Sequence, residues 1–528
     1  MIKRFKDLAP LMAQPIVWVF IIAAFLRFFA CLTTHIINPD GIHYIHQARS
    51  VFYHDWGSLI TCHIKYISMV PFLIAPAYAV FHDWIAAGRF VSFSFSFATL
   101  FPLYFLLKRF FEKPLISIIL LVYALIPVLV SRSADILRDP IFWFFICSGM
   151  LMFVRQWDPS SNRRYPIALL TSTLFFLVAM WTRIEGVMFI AASGFYLLIY
   201  KTDHKLKKLL FFSIPLICIG LAVIAGSFFV DATGSDFLKF NQIRLELAQF
   251  ISHYEGVRSQ LKSLAPNHLD YFEQFLNRVR EVVWYVPFAL IIKTILKGFH
   301  YPYALLFFLG FIGISRRWPH TKLIGYFICL SVFSLTVIYI HLLQTWVIQN
   351  RFIAILIFPS CLFIGYGIDN TIRFLKEKCR LKPAIAVGSV ILFILAFGLG
   401  KNLKPHHEGK IIFRQIGEII ASQKEPEQVV RISGAHSTVY EWVFFYAHQH
   451  YPGTLCARDL IGEIPHRYDQ LIKDMAHTEI RYLFYEENEW PKGAFNLMAA
   501  PYEKEFDILG KWRHKDTGTL MLLELRDS

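Results

Sequence analysis

Along the chain, apolar residues gather into long, nearly charge-free runs separated by short polar links. The runs lie near 15–34, 86–107, 114–131, 140–154, 166–181, 186–200, 209–230, 302–315, 323–340, 352–372 and 383–400. A helix needs roughly 20 apolar residues to cross a hydrocarbon core ~30 Å thick. The pattern therefore predicts about eleven transmembrane helices, several of them short. A short apolar segment beside a charged link is expected to dip around a polar cavity rather than face lipid along its whole length. Two further apolar stretches interrupt themselves: Pro71 and Pro76 fall within 66–82, and Lys293 and Lys297 within 283–300. Both are expected as interfacial helices. After Gly400 the pattern changes. Ile411–Ser422 has helical spacing, Val429–Ser433 reads as a strand and Thr438–His448 as a helix, with strand-like runs at Arg481–Tyr485 and Leu520–Leu525. That alternation suggests a small α/β domain. The expected fold class is thus an all-α polytopic membrane protein with a small carboxyl-terminal α/β extracytoplasmic domain. Residues 1–400 are expected to form the membrane domain, with a first outer loop at 35–85 and a long outer loop at 231–300, and residues 401–528 the soluble domain.

Composition agrees, because 56% of the 528 residues are hydrophobic and only 17% charged, where a soluble protein carries about a quarter. The formal net charge of +15 would suggest nucleic acid in a soluble domain. Residues 401–528, however, hold 16 Lys and Arg against 19 Asp and Glu, so the basic excess belongs to the membrane part and reports topology. The basic residues cluster in 1–14, 108–113, 155–164, 201–208, 316–322 and 373–382, whereas 35–85 holds only Arg49 and Lys65. By the positive-inside rule the amino terminus is cytoplasmic, the carboxyl-terminal domain is outside, and the first run is an uncleaved signal anchor. Of eight cysteines, only Cys62 and Cys456 face the oxidising side. They could pair, but two cysteines in different domains are more often unpaired.

Polar residues concentrate at the outer ends of the spans. Asp40, His43, Tyr44 and Gln47 recur at helical spacing after a Pro-Asp-Gly turn, which aims them one way; Asp is equally a common helix cap. Arg132, Arg138 and Asp139 precede a span, and Arg351 enters another. Arg183 and Glu185 occupy a very short link between two apolar runs, costly unless it lines a cavity or binds something. Arg183 either faces a bound phosphate or pairs with Glu185. In the long outer loop Asp231, Asp236, Glu246, Glu255 and Arg258 are scattered. His406, His407, His448 and His450 read as surface residues. His43, His46 and Asp139 are the weak candidates for a divalent metal ion, whose presence the spacing leaves unknown. Isolated acids and arginines on separate outer connections suit one chemistry. A lipid-phosphate leaving group needs cationic stabilisation, and an acceptor hydroxyl needs a carboxylate base.

At these residues the chain resembles GT-C glycosyltransferases, in particular the bacterial branch related to dolichyl-phosphate-mannose-protein mannosyltransferases and aminoarabinose transferases. The resemblance spans essentially the whole chain and is most specific over 1–200. It implies a polyprenyl-phosphate-linked sugar donor, a glycan, lipid or protein acceptor, and transfer on the outer face of the cytoplasmic membrane with inversion. It implies Asp40 as catalytic base, Asp139 as the second-loop acid, Tyr44 as the aromatic after the first acid, Arg183 as a phosphate ligand and Arg351 as the arginine opening a late span. His43, Lys65, Arg138 and Glu185 complete the expected substrate-binding set. Two features depart from the family pattern: Gly41 stands where a second acid is common, and His43 where some relatives have Arg. An O-antigen ligase or polymerase-like transferase would rely on Arg and His of a large outer loop instead. A secondary transporter would show mid-span charge and repeated halves; apart from Arg27 the spans lack the first, and no repeat is evident.

Overall fold

The computed structural model describes residues 14–62, 66–157, 165–200, 204–227, 240–264, 270–312, 321–406 and 408–526. Lys65, His407, Asp231, Asp236 and the basic segments 1–13, 158–164, 201–203 and 313–320 lie outside the described residues. The protein is a multi-pass helical membrane protein with a small carboxyl-terminal sheet. Among the described residues five helices are long and apolar enough to cross a membrane: Pro15–Thr33, Trp84–Leu107, Tyr165–Thr182, Lys322–Thr345 and Pro383–Asn402. Three bent pairs raise the number to eight if each counts as one span. The pairs are Leu115–Leu125 with Pro127–Ala134 (54°), Tyr271–Gly298 with Tyr301–Leu309 (109°) and Asn350–Ile357 with Cys361–Glu377 (78°).

The eleven expected runs therefore do not all become full-length rods. The run at 140–154 is helix Asp139–Arg155, 17 residues long, and that at 186–200 is Gly186–Ile199, 14 residues long. At 1.5 Å per residue these reach about 25 and about 21 Å, short of the ~30 Å core. The bends have local causes. Pro127 opens the second member of the first pair, where it cannot continue the preceding hydrogen-bond ladder. His300, with φ of 68°, turns the chain sharply before Tyr301. The stretch 70–81, expected as interfacial, is helix Val70–Phe81 with Pro76 inside it.

Packing divides the chain into two compact units. The first comprises residues 1–31, 92–134 and 138–404, and the second 32–91, 135–137 and 405–528. In the second unit the first outer loop packs with the carboxyl-terminal segment. The first unit is held by one large apolar core. Arg27, buried in this unit, is hydrogen-bonded through two of its nitrogens: Nε donates to Ser96 Oγ (2.9 Å) and Nη1 to the carbonyls of Ala23 (3.2 Å) and Ala124 (3.3 Å). A guanidinium satisfied in this way ties helices together.

In the second unit five strands form one sheet, β1 Ile432–Gly434, β2 Ile461–Gly462, β3 Tyr482–Glu486, β4 Phe506–His514 and β5 Gly518–Leu525, in the order β2-β1-β3-β5-β4. β1 is parallel to both β2 and β3, while β5 runs antiparallel to β3 and β4. Helix Thr438–Ala447 is almost entirely buried; its Trp442 Nε1 donates to Ile37 O (2.9 Å) and its Tyr446 hydroxyl accepts from Ile37 N (3.0 Å). Thr454 Oγ1 donates to Asp55 Oδ2 (2.5 Å). Cys62 and Cys456 are joined in a disulfide, correcting the expectation that they stay apart; the folded first loop brings their Cα atoms to 5.4 Å.

Candidate active site

The first group of functional residues lies on helix Pro39–Phe52 of the second unit. The helix starts where the sequence says, with Pro39 in its first turn and Asn38 as its cap, Asn38 Oδ1 accepting from Asp40 N at 3.0 Å. The capping role is therefore taken by Asn38, and the half-buried carboxylate of Asp40 sits in the first turn, where the helix dipole favours its charge. Gly41 explains the missing second acid: a Cβ there would lie 3.1 Å from Ile136 Cβ, so a larger side chain would press into Ile136. Tyr44 is buried and His43 half-buried. Gln47 Nε2 donates to the carbonyls of Leu59 (3.1 Å) and Tyr66 (3.0 Å), pinning the next turn to the loop that follows.

Three residues fix this helix: His46, read from the sequence as a weak metal candidate, His448, read as a surface residue, and Arg49, given no role. His46 is engaged at both ring nitrogens, with Leu455 O at 3.1 Å from Nδ1 and with Ser58 O (3.0 Å) and Thr61 Oγ1 (3.2 Å) from Nε2. Burial, ahead of the neighbouring charges, pushes its pKa down. The buried Arg49 donates to the carbonyls of His448 (3.3 Å) and Gln449 (2.6 Å). His448, expected at the surface, is in fact 2% exposed. Its Nε2 accepts from Val430 N (3.0 Å), so Nδ1 donates to Phe444 O (3.0 Å), and burial holds its pKa down at about 4. Only a surface-versus-core alternation in 438–448 could have flagged it, and there nearly every residue is apolar.

The second group belongs to the first unit. Asp139 opens helix Asp139–Arg155, while Arg183 and Glu185 form the link between Tyr165–Thr182 and Gly186–Ile199. Gly186 makes so tight a link feasible, since a Cβ there would collide with the backbone of Met180. Arg183 Nη1 donates to Asp139 Oδ1 (2.5 Å), while Nη2 and Nε grip Glu185 at Oε1 (2.5 Å) and Oε2 (3.2 Å). The guanidinium lies 4.8 Å from the Phe352 ring centre and 5.8 Å from that of Phe142. Asp139 is 1% and Arg183 3% exposed. Burial opposes ionisation of Glu185, but the charge and hydrogen bonds of Arg183, reinforced by Arg138, hold its carboxyl down at about 2. Of the two readings of Arg183 the structure shows pairing, with Asp139 as well as Glu185. Asp139 Oδ2 is buried with no hydrogen-bond partner among the described residues. Arg138 is half-buried beside this cluster, and Arg351 directly precedes the ring that covers Arg183.

The weak metal candidates are not brought together. No group of three or more His, Cys, Asp or Glu able to hold a metal occurs among the described residues, and both nitrogens of His46 are already committed. The residues present do not fit a metal centre.

Comparison with known proteins gives a consistent fold. A family model described as dolichyl-phosphate-mannose-protein mannosyltransferase matches residues 68–228. No curated protein matches the chain. Among solved structures, ArnT from Cupriavidus metallidurans bound to undecaprenyl phosphate aligns with a TM-score of 0.62 at 12% identity, over 97% of this chain and 98% of that one. ArnT in the apo state gives 0.61 at 11% identity, over 96% and 97%. The Archaeoglobus fulgidus oligosaccharyltransferase in complex with Zn and sulfate gives 0.53 at 13% identity, over 96% of this chain and 72% of that one. The chain therefore shares the fold of ArnT along essentially its whole length.

Proposed function

We propose that this GT-C-fold protein is an inverting glycosyltransferase that moves a sugar from a polyprenyl-phosphate carrier to an acceptor hydroxyl at the outer face of the cytoplasmic membrane. The observation that carries the reading is the full-length match to ArnT, a protein solved with undecaprenyl phosphate bound. The partial match to a family named for dolichyl-phosphate mannose supports the same donor class. The lipid bilayer is then both solvent and source of donor, and the acceptor is a glycan, a lipid or a protein.

In this reading Asp40 is the base. The acceptor oxygen attacks the anomeric carbon, the bond from that carbon to the phosphate oxygen breaks, and polyprenyl phosphate leaves with the electron pair. The acceptor proton passes to the Asp40 carboxylate, and the anomeric configuration inverts. The phosphate departs without a general acid. Arg138 and Arg351 are the proposed phosphate ligands. Arg183 positions Asp139 and Glu185, the proposed second acid and its companion. Tyr44, His43 and Lys65 are proposed to line the substrate side of the first loop. Outer placement of the second unit is supported by the Cys62–Cys456 disulfide, which belongs to an oxidising compartment, and by the basic inner loops. A transporter is disfavoured because the deep charge of Arg27 is tied by hydrogen bonds to Ser96 and to the carbonyls of Ala23 and Ala124.

A direct test follows the release of polyprenyl phosphate from polyprenyl-phosphate sugars by the purified protein in nanodiscs with a membrane extract as acceptor. The wild type is expected to release it, and Asp40→Asn to fall at least about 100-fold, the scale of a lost general base. Equal release by the two would remove Asp40 from the mechanism.

A further inference from the structure

Glu441 lies in the first turn of the buried helix Thr438–Ala447 and is 7% exposed. Its Oε1 lies 3.3 Å from Arg458 Nε and 3.5 Å from His436 Nε2. Those contacts hold one carboxylate oxygen, and Arg458 alone supplies the counter-charge that a buried carboxylate requires. The other oxygen, Oε2, points elsewhere: it lies 3.9 Å from His43 Nε2. His43 is three residues after Asp40, on the same face of helix Pro39–Phe52.

The contact is not needed to place that helix. His46, Gln47 and Arg49 already fix it through hydrogen bonds to backbone or hydroxyl groups on both sides. Glu441 touches the helix at His43, whose ring is its least constrained histidine. The Nδ1 atom of that ring is buried and has no hydrogen-bond partner among the described residues. A small cavity lined by His43, His46, Arg49, Glu441, His448 and Phe444 adjoins it. At 3.9 Å the carboxylate acts on Nε2 through its charge rather than a hydrogen bond, and that charge favours the tautomer with the proton on Nε2, which leaves the Nδ1 lone pair to accept. The complement of such a lone pair is a hydroxyl.

We infer that Glu441 is a positioning residue: it orients His43 so that Nδ1 accepts a hydrogen bond from a substrate hydroxyl beside Asp40. The hydroxyl belongs either to the acceptor or to the transferred sugar. The inference rests on the transferase reading above. It gives the carboxyl-terminal segment a part in catalysis through one named contact.

The test uses full-length protein in nanodiscs, measuring polyprenyl-phosphate release with donor and acceptor concentrations varied separately. Glu441→Gln keeps size and shape and is expected to lower kcat about 10-fold, as loss of an orienting partner does, with an unchanged melting temperature. Glu441→Asp is expected to recover part of the loss. In a His43→Asn background Glu441→Gln is expected to add nothing, because the two act as one unit. An accompanying rise in acceptor KM would assign the hydroxyl to the acceptor, and a rise in donor KM to the sugar. Wild-type kcat in Glu441→Gln, losses that multiply in the double variant, or a loss matched by a lowered melting temperature in both Glu441 variants would overturn the inference. If wild-type release is present and abolished by Asp40→Asn while Glu441→Gln is silent, only this inference fails. If the wild type shows no Asp40-dependent release, the transferase reading itself fails.

Discussion

Arg183 shows how one side chain can settle two others. Its guanidinium joins carboxylates that lie 44 and 2 residues away in sequence, in a site that excludes water. Replacing it by Gln leaves the buried Asp139 without its salt-bridge partner and Glu185 with Arg138 as its remaining counter-charge, which costs about 3–5 kcal/mol. Arg183→Gln should therefore lower the melting temperature markedly, whereas Arg351→Gln should spare stability and weaken donor use. Equal melting temperatures for the wild type and Arg183→Gln would show that the cluster does not support the fold. His448 makes a pH prediction. Its pKa falls from 6.5 in the unfolded chain to about 4 in the folded one, so the folded state resists protonation, which would replace the Val430 N–H acceptor with a second donor. The stability it contributes is complete above pH 6.5 and is lost as pH falls towards 4, by up to about 3 kcal/mol. His46 shifts in the same direction. Thermal melts between pH 7.5 and 5 should slope downward, and His448→Gln should flatten part of that slope. An unaltered slope in the variant would contradict the assignment.

Helix Pro39–Phe52 is the element on which the proposed base depends. Its start was legible because Asn-Pro-Asp-Gly is a strong local signal, and helical spacing put Asp40, His43, Tyr44 and Gln47 on one face. Its anchors were not legible. His46, Arg49 and His448 look like ordinary polar residues until the carbonyls of 448, 449 and 455 are brought to them. Strands of two and three residues, such as β2 and β1, are too short to show a period of two. The bridge between Cys62 and Cys456 links positions 394 apart in sequence, and nothing in their local residues announces it. Mass mapping of the non-reduced protein should find this one bridge. Cys62→Ser with Cys456→Ser should lose about 2–5 kcal/mol of stability, read as an earlier unfolding of the second unit. Eight alkylatable thiols in the denatured, non-reduced protein would refute the bridge.

For the molecule as a whole, long charge-free runs were enough to read a polytopic helical protein and a carboxyl-terminal α/β segment. The number of full spans was not legible, because apolar composition does not record where a helix stops short or bends, as at Pro127 and His300. Nor was it legible that residues 32–91 fold with 405–528. That grouping means that removing 405–528 strips Arg49, His46 and Ile37 of their partners. The truncated protein should lose transfer to every acceptor, and a mere change of acceptor preference would argue against the grouping. The central claim is that Asp40 drives sugar transfer from a polyprenyl-phosphate donor. Mass spectrometry of lipid-linked sugars in cells lacking the protein, and in cells carrying only Asp40→Asn, tests it most directly. The account predicts that the same polyprenyl-phosphate sugar accumulates in both relative to the wild type; carrier levels unchanged in both would contradict it.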